Sequence, residues 1–398
     1  MKIGIVGAGA IGVSAALALQ RRGYTVKLFD QGEPGGGASS GNSGIIATSE
    51  VIPFNRPETL RALPGMLLDP RSPLSVRALS VLAHVPWFAR FALASLPANS
   101  ARATHQLALL LASAGAAWRE IVKDTDAAPL LVSKGWLKVH SNPQSLAAGW
   151  RLAEMQAEFG IESQLLSASA MRSLEPALAA GLAGAVFYPE VMSLRSPLRA
   201  IELLAQHFVS NGGTFTHDQV SAISQTGTAV IIETANAGRH VFERVVLACG
   251  AWSGRLASML GEQVNLKTER GYHSMLTHPP ITLTRPVTVS SPGYTMAPMI
   301  DGLRIASGVE IANLTAPAEW RRIRAMARHA ATIVGGLDSA PLSEWLGCRP
   351  SMPDSIPVLR YASAANRVVL AFGHGHLGVT LGPSEANRIA ALIDTCQR

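Results

Sequence analysis

The chain has 398 residues, 48% of them hydrophobic, and a formal net charge of +7. Its length predicts two domains and a large core, and its charge permits contact with anionic lipid or an acidic partner. Nucleic-acid binding is not supported, because the sequence has no basic run, zinc-finger spacing or aromatic RNA-binding signature. The three cysteines, Cys249, Cys348 and Cys396, have no paired spacing, which is typical of a reducing compartment.

The first thirty residues predict a strand, a glycine-rich turn, a helix, a second strand and an acidic residue, in that order. The apolar run 3–6 leads into the glycine-rich segment 7–12, and the second strand, 25–29, ends at Asp30. Residues 3–20 carry no charge, but their glycines and the lack of a clean cleavage site argue against a signal peptide or membrane span. We therefore expect a protein of the cytoplasm or of the inner face of the cytoplasmic membrane.

The glycines of this segment have distinct expected roles. Gly7 permits a tight turn, Gly9 lets backbone N–H groups approach a pyrophosphate, and Gly12 lets the helix pack closely against the strand. The positive end of the helix dipole then faces the phosphates. Asp30 lies near the spacing expected of a carboxylate that binds a ribose hydroxyl. The pattern predicts an adenine-dinucleotide site and, taken alone, fits NAD and FAD equally.

Small residues fill the next segment, 32–44, which ends in Asn42-Ser43-Gly44. A loop with so much accessible backbone suits contact with a polar ligand, although a flexible surface connection has the same composition. Residues 70–119 then contain no carboxylate and five arginines: Arg71, Arg77, Arg90, Arg102 and Arg119. Two interpretations of residues 71–119 stay open, namely peripheral contact with an anionic membrane or partner, and ordinary helices with arginines facing solvent.

Alternating apolar runs and helix caps predict the remaining elements. Asn142 and Ser196 are expected caps of helices that end near Gly160 and Asn211, and another helix is expected from Pro317 to Gly335. A last helix is expected after residue 378. The predicted strands are 134–140, 214–224, 228–234, 240–247, 268–276, 286–299, 303–310 and 368–372, with those from 268 to 310 forming an antiparallel sheet.

Several segments together resemble the FAD-dependent D-amino acid oxidoreductase (DAO) superfamily. They lie in the order typical of that family: 7–30, 42–44, 246–252, 347–358 and 371–383. Within the superfamily, residues 270–273 and 294–299 are most similar to bacterial D-amino acid dehydrogenases, including those that act on cis-4-hydroxy-D-proline. Glycine oxidase and sarcosine oxidase are the next most similar relatives.

The resemblance implies a mixed α/β (α+β) fold with two domains. One is a Rossmann-like βαβ domain that binds FAD, built from residues 1–55, 165–266 and 345–398. The other is a substrate domain, residues 56–164 and 267–344, built on an antiparallel sheet with flanking helices.

The same resemblance implies the substrate-binding residues. Arg349 corresponds to the family arginine that pairs with the substrate carboxylate, and its planar guanidinium suits that role, although a structural ion pair is the alternative. Tyr272, His273 and Tyr294 are candidates for carboxylate or amine contacts, with core packing as the alternative. His376 stands where glycine oxidase has an arginine, which favours a dehydrogenase.

The implied cofactor is FAD, and no metal is expected. Cys348 lies near the region where sarcosine oxidases attach flavin covalently; the sequence favours a flavin without that bond but leaves the question open. The turn 373–378 and the helix after it are expected to direct backbone N–H groups towards the flavin N1 and C2 carbonyl. The expected cofactor-binding residues are Gly7, Gly9, Ala10, Ile11, Gly12, Asp30, Gln31, Ser40, Asn42, Ser43, Gly44, Val220, Gly250, Trp252, Gly375, His376, Leu377, Gly378 and Thr380.

The implied activity is oxidation of a D-amino or cyclic imino acid, with cis-4-hydroxy-D-proline and D-proline favoured, by hydride transfer from the α carbon to flavin N5. The product is an imino acid, and the electrons are expected to pass to a quinone or another non-oxygen acceptor such as a partner subunit. Three alternatives stay open: an oxygen-using oxidase of glycine or sarcosine, an electron-transfer subunit that oxidises no amino acid, and a nicotinamide dehydrogenase. The oligomeric state is left open.

Overall fold

The structure is a computed structural model that describes residues 1–69, 72, 74–236, 238–277, 279–337 and 343–395. Arg71 and Cys396 lie outside the described residues. The helices are α1 (Ala10–Arg21), α2 (Pro57–Leu68), α3 (Ala78–Ala94), α4 (Pro97–Leu111), α5 (Ala114–Val122), α6 (Pro143–Ala157), α7 (Ala168–Leu174), α8 (Pro197–Ser210), α9 (Ser253–Met259), α10 (Arg321–Ile333) and α11 (Gly378–Thr395).

The strands are, in chain order, β1 (Lys2–Val6), β2 (Thr25–Asp30), β3 (Ile45–Ile46), β4 (Leu74–Val76), β5 (Leu131–Val132), β6 (Trp136–His140), β7 (Gln164–Ser167), β8 (Gly184–Tyr188), β9 (Met192–Leu194), β10 (Thr214–His217), β11 (Val220–Thr226), β12 (Ala229–Thr234), β13 (Gly238–Phe242), β14 (Arg244–Leu247), β15 (Lys267–Thr277), β16 (Val287–Val289), β17 (Tyr294–Met299), β18 (Gly302–Ile311), β19 (Ser343–Ser351), β20 (Val358–Tyr361) and β21 (Val368–Phe372).

A six-stranded sheet in the order β10-β2-β1-β14-β21-β20 holds the two chain ends together. All of its pairings are parallel except that of β20 with β21. Helices α1 and α11 pack against each other and against this sheet through apolar side chains such as Ile3, Val13 and Ile389. Because the carboxyl ends of parallel strands share one edge, the segments after β1, β2, β14 and β21 converge there.

A second sheet has nine strands, in the order β19-β15-β18-β17-β16-β6-β8-β7 with β4 beside β18. Most pairings are antiparallel, whereas β16 with β6 and β4 with β18 are parallel. Helix α10 packs on one face, where Ile323, Met326 and Ala330 contact the apolar side chains of the strands. Smaller sheets are formed by β11-β12-β13 and by β3-β9-β5.

Several predicted elements differ from the observed ones in local detail. The run 286–299, predicted as one strand, forms the hairpin β16–β17, in which the Ser291–Pro292 peptide bond is cis. The run 214–224 likewise divides into β10 and the start of β11. Strands β7, β8 and β19 lie in the nine-stranded sheet, whereas the predicted domain division places β8 and most of β7 and β19, within residues 165–266 and 345–398, in the FAD-binding part.

The arginine-rich region 74–119 forms the short strand β4 and helices α3, α4 and α5. Trp87 and Phe91 are buried in a small cluster with Leu74 and Ile311, and Arg90 is exposed. Burial of these aromatic rings agrees with ordinary amphipathic helices, and membrane contact stays a prediction. No helix within the described ranges is long and apolar enough to cross a bilayer.

Candidate active site

A cavity of about 910 Å³ lies between the two large sheets. One wall comes from the segments at the carboxyl edge of the six-stranded sheet, and the opposite wall comes from β6, β16, β17, β18 and β19. A cavity of this size, formed by residues from both parts of the chain, has room for an extended ligand and a small second molecule.

At one end, the β1–α1 turn is shaped for close approach of a phosphate. Gly7 has φ +106°, and a Cβ atom there would lie 2.4 Å from the carbonyl oxygen of Ala248. A Cβ atom on Gly12 would lie 1.7 Å from the carbonyl oxygen of Gly7. Asp30 accepts the Ala8 N–H at 2.7 Å, so its carboxylate both fixes the turn and lines the cavity. These features fit the adenine-dinucleotide site predicted from the sequence.

The loop 39–44 is held by strands of the other sheet. The Arg304 guanidinium donates from Nη1 to the carbonyl oxygens of Ser40, at 2.9 Å, and Asn42, at 2.6 Å. Gly44 has φ +75° and donates its N–H to the Asn42 side chain at 2.8 Å. This side of the cavity is therefore positioned by β18 as well as by its own loop.

His273 and Trp345 complete the contact with the loop. Their rings stack with centroids 5.1 Å apart and planes 14° apart, and His273 Nδ1 lies 3.2 Å from the carbonyl oxygen of Gly41. A Cβ atom on Gly41 would lie 2.0 Å from the Trp345 ring. His273 is buried and does not line the cavity, so the contact with amine or carboxylate expected for it is replaced by a contact with the loop.

This environment makes a pH effect on stability testable. Burial, aided by the Arg304 charge, lowers the pKa of His273 to about 4, from an ordinary 6.5. Between pH 6.5 and pH 4 the unfolded chain binds a proton at His273 and the folded chain does not. The free energy of unfolding is therefore unaffected by His273 above this range and decreases as pH falls through it. We expect His273→Gln to remove about 1 to 2 kcal/mol of the stability loss between pH 7 and pH 5. Urea unfolding of the wild type and of His273→Gln at pH 7 and pH 5 measures this change in the free energy of unfolding. An equal loss in the two proteins would contradict the prediction.

Tyr272 and Tyr294 lie outside the cavity, in contrast to the expected substrate contacts. The Tyr272 hydroxyl donates to Glu310 at 2.5 Å, and burial, helped by that bond, raises the pKa of Tyr272 to about 12. The Tyr294 hydroxyl lies 2.9 Å from Nδ1 of His329 on α10. Alternate strand residues face opposite sides of a sheet, so both rings pack towards α10 while Thr295 faces the cavity.

Arg349 lies on β19 at the cavity wall, and its immediate surroundings fix the guanidinium. Nη1 donates to the Gly308 carbonyl oxygen at 3.1 Å. A Cβ atom on Gly271 would lie 2.3 Å from Nη2, so the strand passes this group only because residue 271 is glycine. Burial lowers the pKa of Arg349, and Glu269 acts in the opposite direction. Within the described ranges, no carboxylate forms an ion pair with Arg349, which leaves the guanidinium available to an anionic ligand.

The Gly271 contact gives a prediction that leaves Arg349 itself intact. Gly271→Ala should displace the guanidinium and raise the KM of a carboxylate substrate about tenfold, because small shifts of a binding group are costly. Flavin content should be unchanged, and steady-state kinetics together with flavin absorbance measure both. Gly181→Ala is the matched control, since a Cβ atom there meets no atom of the described residues within 4 Å. An unchanged KM in Gly271→Ala would contradict the role given to this close contact.

The turn after β21 forms part of the same wall. Gly373 has φ +90° and Gly375 φ +54°, and Gly375, His376 and Gly378 line the cavity. Burial lowers the pKa of His376, while the charges of Glu50 and Arg349 act on it in opposite directions. His376 is therefore neutral at pH 7 and lies within electrostatic reach of both groups.

The predicted cofactor residues divide into those that line the cavity and those that support it. Leu377 is buried in the core, and Thr380 Oγ1 accepts the N–H of Ala47 at 3.1 Å. Those on the cavity wall are Gly7, Gly9, Ala10, Ile11, Asp30, Gln31, Asn42, Ser43, Val220, Gly250, Trp252, Gly375, His376 and Gly378. Those behind it are Gly12, Ser40, Gly44, Leu377 and Thr380.

The structure adds cavity residues that the sequence did not indicate, among them Glu50, Lys138, Trp136 and Thr288. Of these four, only Lys138 could have been identified from the sequence, because it is a charged residue inside the apolar strand Trp136–His140. Cys348 also lines the cavity, and burial raises the pKa of its thiol.

Comparisons with known proteins agree with this geometry. Residues 2–392 match the model of the DAO family, described as FAD dependent oxidoreductase. The chain is 30% identical to a D-amino-acid oxidase of Bradyrhizobium diazoefficiens, covering 98% of this chain and 94% of that protein. It is 27% identical to D-amino acid dehydrogenase 2 of Ralstonia nicotianae, over 99% of this chain and 96% of that protein.

A solved structure gives the same result for the fold. The glycine oxidase of Geobacillus kaustophilus superposes with a TM-score of 0.76 over 99% of this chain and 94% of that chain, at 22% identity. The family resemblance and the mixed α/β fold expected from the sequence are thereby confirmed. The chain belongs to the DAO family of FAD-dependent oxidoreductases.

Proposed function

We propose that this flavoenzyme oxidises a D-amino acid or a cyclic imino acid at its α carbon, with cis-4-hydroxy-D-proline and D-proline as favoured substrates. The proposal depends mainly on the surroundings of Arg349. Its guanidinium lies at the wall of the cavity and has no carboxylate partner among the described residues. A bidentate pair with a substrate carboxylate satisfies such a group. The relatives named D-amino-acid oxidase and D-amino acid dehydrogenase 2 support the choice of substrate class.

FAD, when bound, supplies the acceptor for the two electrons removed from the substrate. The chain's own contribution is orientation. Arg349 occupies the space left by Gly271 and is oriented by its bond to the Gly308 carbonyl oxygen. It holds the carboxylate and thereby sets the direction of the α carbon. The lowered pKa of His376 favours its neutral form, so His376 adds no second positive charge to the carboxylate site.

The same proposal includes the electron acceptor, a quinone or another non-oxygen acceptor such as a partner subunit. The relative named D-amino acid dehydrogenase 2 supports it, whereas the relative named D-amino-acid oxidase favours direct reaction with oxygen. Turnover of D-proline, D-alanine, glycine and sarcosine, followed with an oxygen electrode and separately with a quinone analogue, decides between them. We expect D-proline turnover with the quinone and little oxygen uptake. Hydrogen peroxide release at the same rate as turnover would support an oxidase instead.

A further inference from the structure

Glu50 and Lys138 form an ion pair on the cavity wall. Binding of a substrate carboxylate by Arg349 does not explain why this pair is there. Glu50 Oε1 and Lys138 Nζ are 2.5 Å apart, and both residues line the cavity. The pair is only 27% exposed at the Glu50 side chain and 16% at Lys138. An ion pair so poorly hydrated is costly to form, and replacing it with apolar side chains is often neutral or stabilising. Stability alone therefore does not account for it.

The two partners differ in the hydrogen-bonding capacity they have left. Lys138 Nζ lies 4.3 Å from the centroid of the Trp136 ring and 5.1 Å from that of Tyr188, so its charge is enclosed by Glu50 and two aromatic faces. Only Oε1 of Glu50 is used by Lys138, and a carboxylate can accept several hydrogen bonds. The partly exposed Glu50 thus presents acceptor capacity to the cavity.

Glu50 stays ionised in this position. Burial would raise its pKa, but the charge and hydrogen bond of Lys138 outweigh that effect and hold the pKa of Glu50 below its ordinary value. The pKa of Lys138 is raised in turn, because the interactions with Glu50 and Tyr188 outweigh the opposite effect of burial. The cavity therefore contains a fixed anionic acceptor as well as the cationic Arg349.

The polar groups on the cavity wall suit a substrate with two polar ends. Glu50, His376 and Arg349 all line the cavity. Lys138 on β6 is in register with Thr288 on β16, which in turn pairs with Thr295 on β17. Thr288 and Thr295 line the same wall, with their hydroxyl oxygens 2.7 Å apart and Trp136 Nε1 donating to Thr288 at 2.9 Å. The cavity therefore offers a substrate polar partners in addition to Arg349.

We propose that Glu50 accepts a hydrogen bond from a hydroxyl or N–H group on the substrate beyond its α carbon, with Lys138 as the positioning residue that holds the Glu50 carboxylate in place through their ion pair. This inference rests on the proposed function, because it presumes that Arg349 binds the α-carboxylate. It assigns the preferred substrate class as amino or imino acids with a donor in the side chain or ring, such as cis-4-hydroxy-D-proline. Acidic side chains are disfavoured, since Glu50 repels them.

The test compares cis-4-hydroxy-D-proline with D-proline in the wild type, Glu50→Gln and Glu50→Leu holoenzymes. Anaerobic stopped-flow reduction gives a dissociation constant and a reduction rate for each substrate. We expect the wild type to bind the hydroxylated substrate about tenfold more tightly or better, because a bond to a charged acceptor is lost without the hydroxyl. In Glu50→Leu the ratio of the two constants should fall to about one, with an intermediate value in Glu50→Gln.

The ratio is the decisive quantity because it cancels effects common to both substrates, including the unpaired Lys138 charge in the variants. Glu262→Gln is the matched control: it removes a buried carboxylate that pairs with Arg360 at 2.6 Å and does not line the cavity. A wild-type ratio near one, or an unchanged ratio in Glu50→Leu, would overturn the inference while leaving the proposed function intact. Failure of both substrates to reduce wild-type flavin would instead contradict the substrates favoured in the proposed function.

Discussion

The Arg349→Lys enzyme should retain FAD but lose about 100-fold or more in kcat/KM for a D-amino or imino acid, mainly through KM. Lysine keeps the positive charge but cannot form two parallel bonds to a carboxylate. It also cannot reproduce the bond from Nη1 to the Gly308 carbonyl oxygen that orients the guanidinium. Steady-state kinetics with D-proline and flavin absorbance of the purified protein measure the two quantities.

A matched control separates this effect from a general loss of arginine. Arg324 lies on the surface of α10 and pairs with both carboxylate oxygens of Glu344, at 2.8 and 2.7 Å. Arg324→Lys should leave KM unchanged, since exposed ion pairs contribute little. If Arg349→Lys has the KM of the parent enzyme, Arg349 does not bind the substrate.

The Gly12→Ala protein should be purified with little or no flavin and with a markedly lower unfolding temperature. The added Cβ atom would lie 1.7 Å from the carbonyl oxygen of Gly7, and a backbone atom, unlike a side chain, cannot move away without deforming the turn. We expect a loss of several kcal/mol in stability, since overpacking against a backbone atom is among the large mutational effects. The ratio of flavin to protein absorbance and a thermal unfolding curve measure both.

Gly115→Ala is the corresponding control for an added methyl group inside a helix. On α5 its Cβ atom would meet the terminal methyl group of Met192 at 3.4 Å, which is ordinary contact. Flavin content should be normal, and stability should be equal or slightly higher because alanine favours helix. A Gly12→Ala protein with full flavin content would show that close packing of α1 on β1 is not required for cofactor binding.

The parts of the fold fixed by local chemistry could be predicted from the sequence. The run from Lys2 to Asp30 determines a βαβ unit by itself, and Asn142 and Ser196 cap α6 and α8 with side-chain hydrogen bonds as predicted. The bounds of β21, Val368–Phe372, also agree with the prediction. Each of these depends on residues close together in the chain.

The site depends on contacts that local patterns do not contain. A register shift between Arg270 and Tyr272 in β15 helps set which side chains face the cavity, and no sequence pattern gave its position. Tyr272, directly after this shift, packs towards α10, and Tyr294 does so from β17. Glu50 and Lys138 are 88 positions apart and meet only in the folded chain. Polar residues whose partners are distant in sequence were the ones that the sequence could not assign.

The central claim is that Arg349 holds the carboxylate of a D-amino or imino acid beside FAD. Anaerobic titration of the purified flavoenzyme with D-proline, L-proline and cis-4-hydroxy-D-proline, in the wild type and in Arg349→Met, tests it most directly. The flavin absorbance of the wild type should be bleached by the two D-substrates and not by L-proline, and Arg349→Met should need at least about 100-fold more substrate. Wild-type flavin that no D-amino or imino acid reduces, or an Arg349→Met enzyme reduced at wild-type concentrations, would contradict the claim.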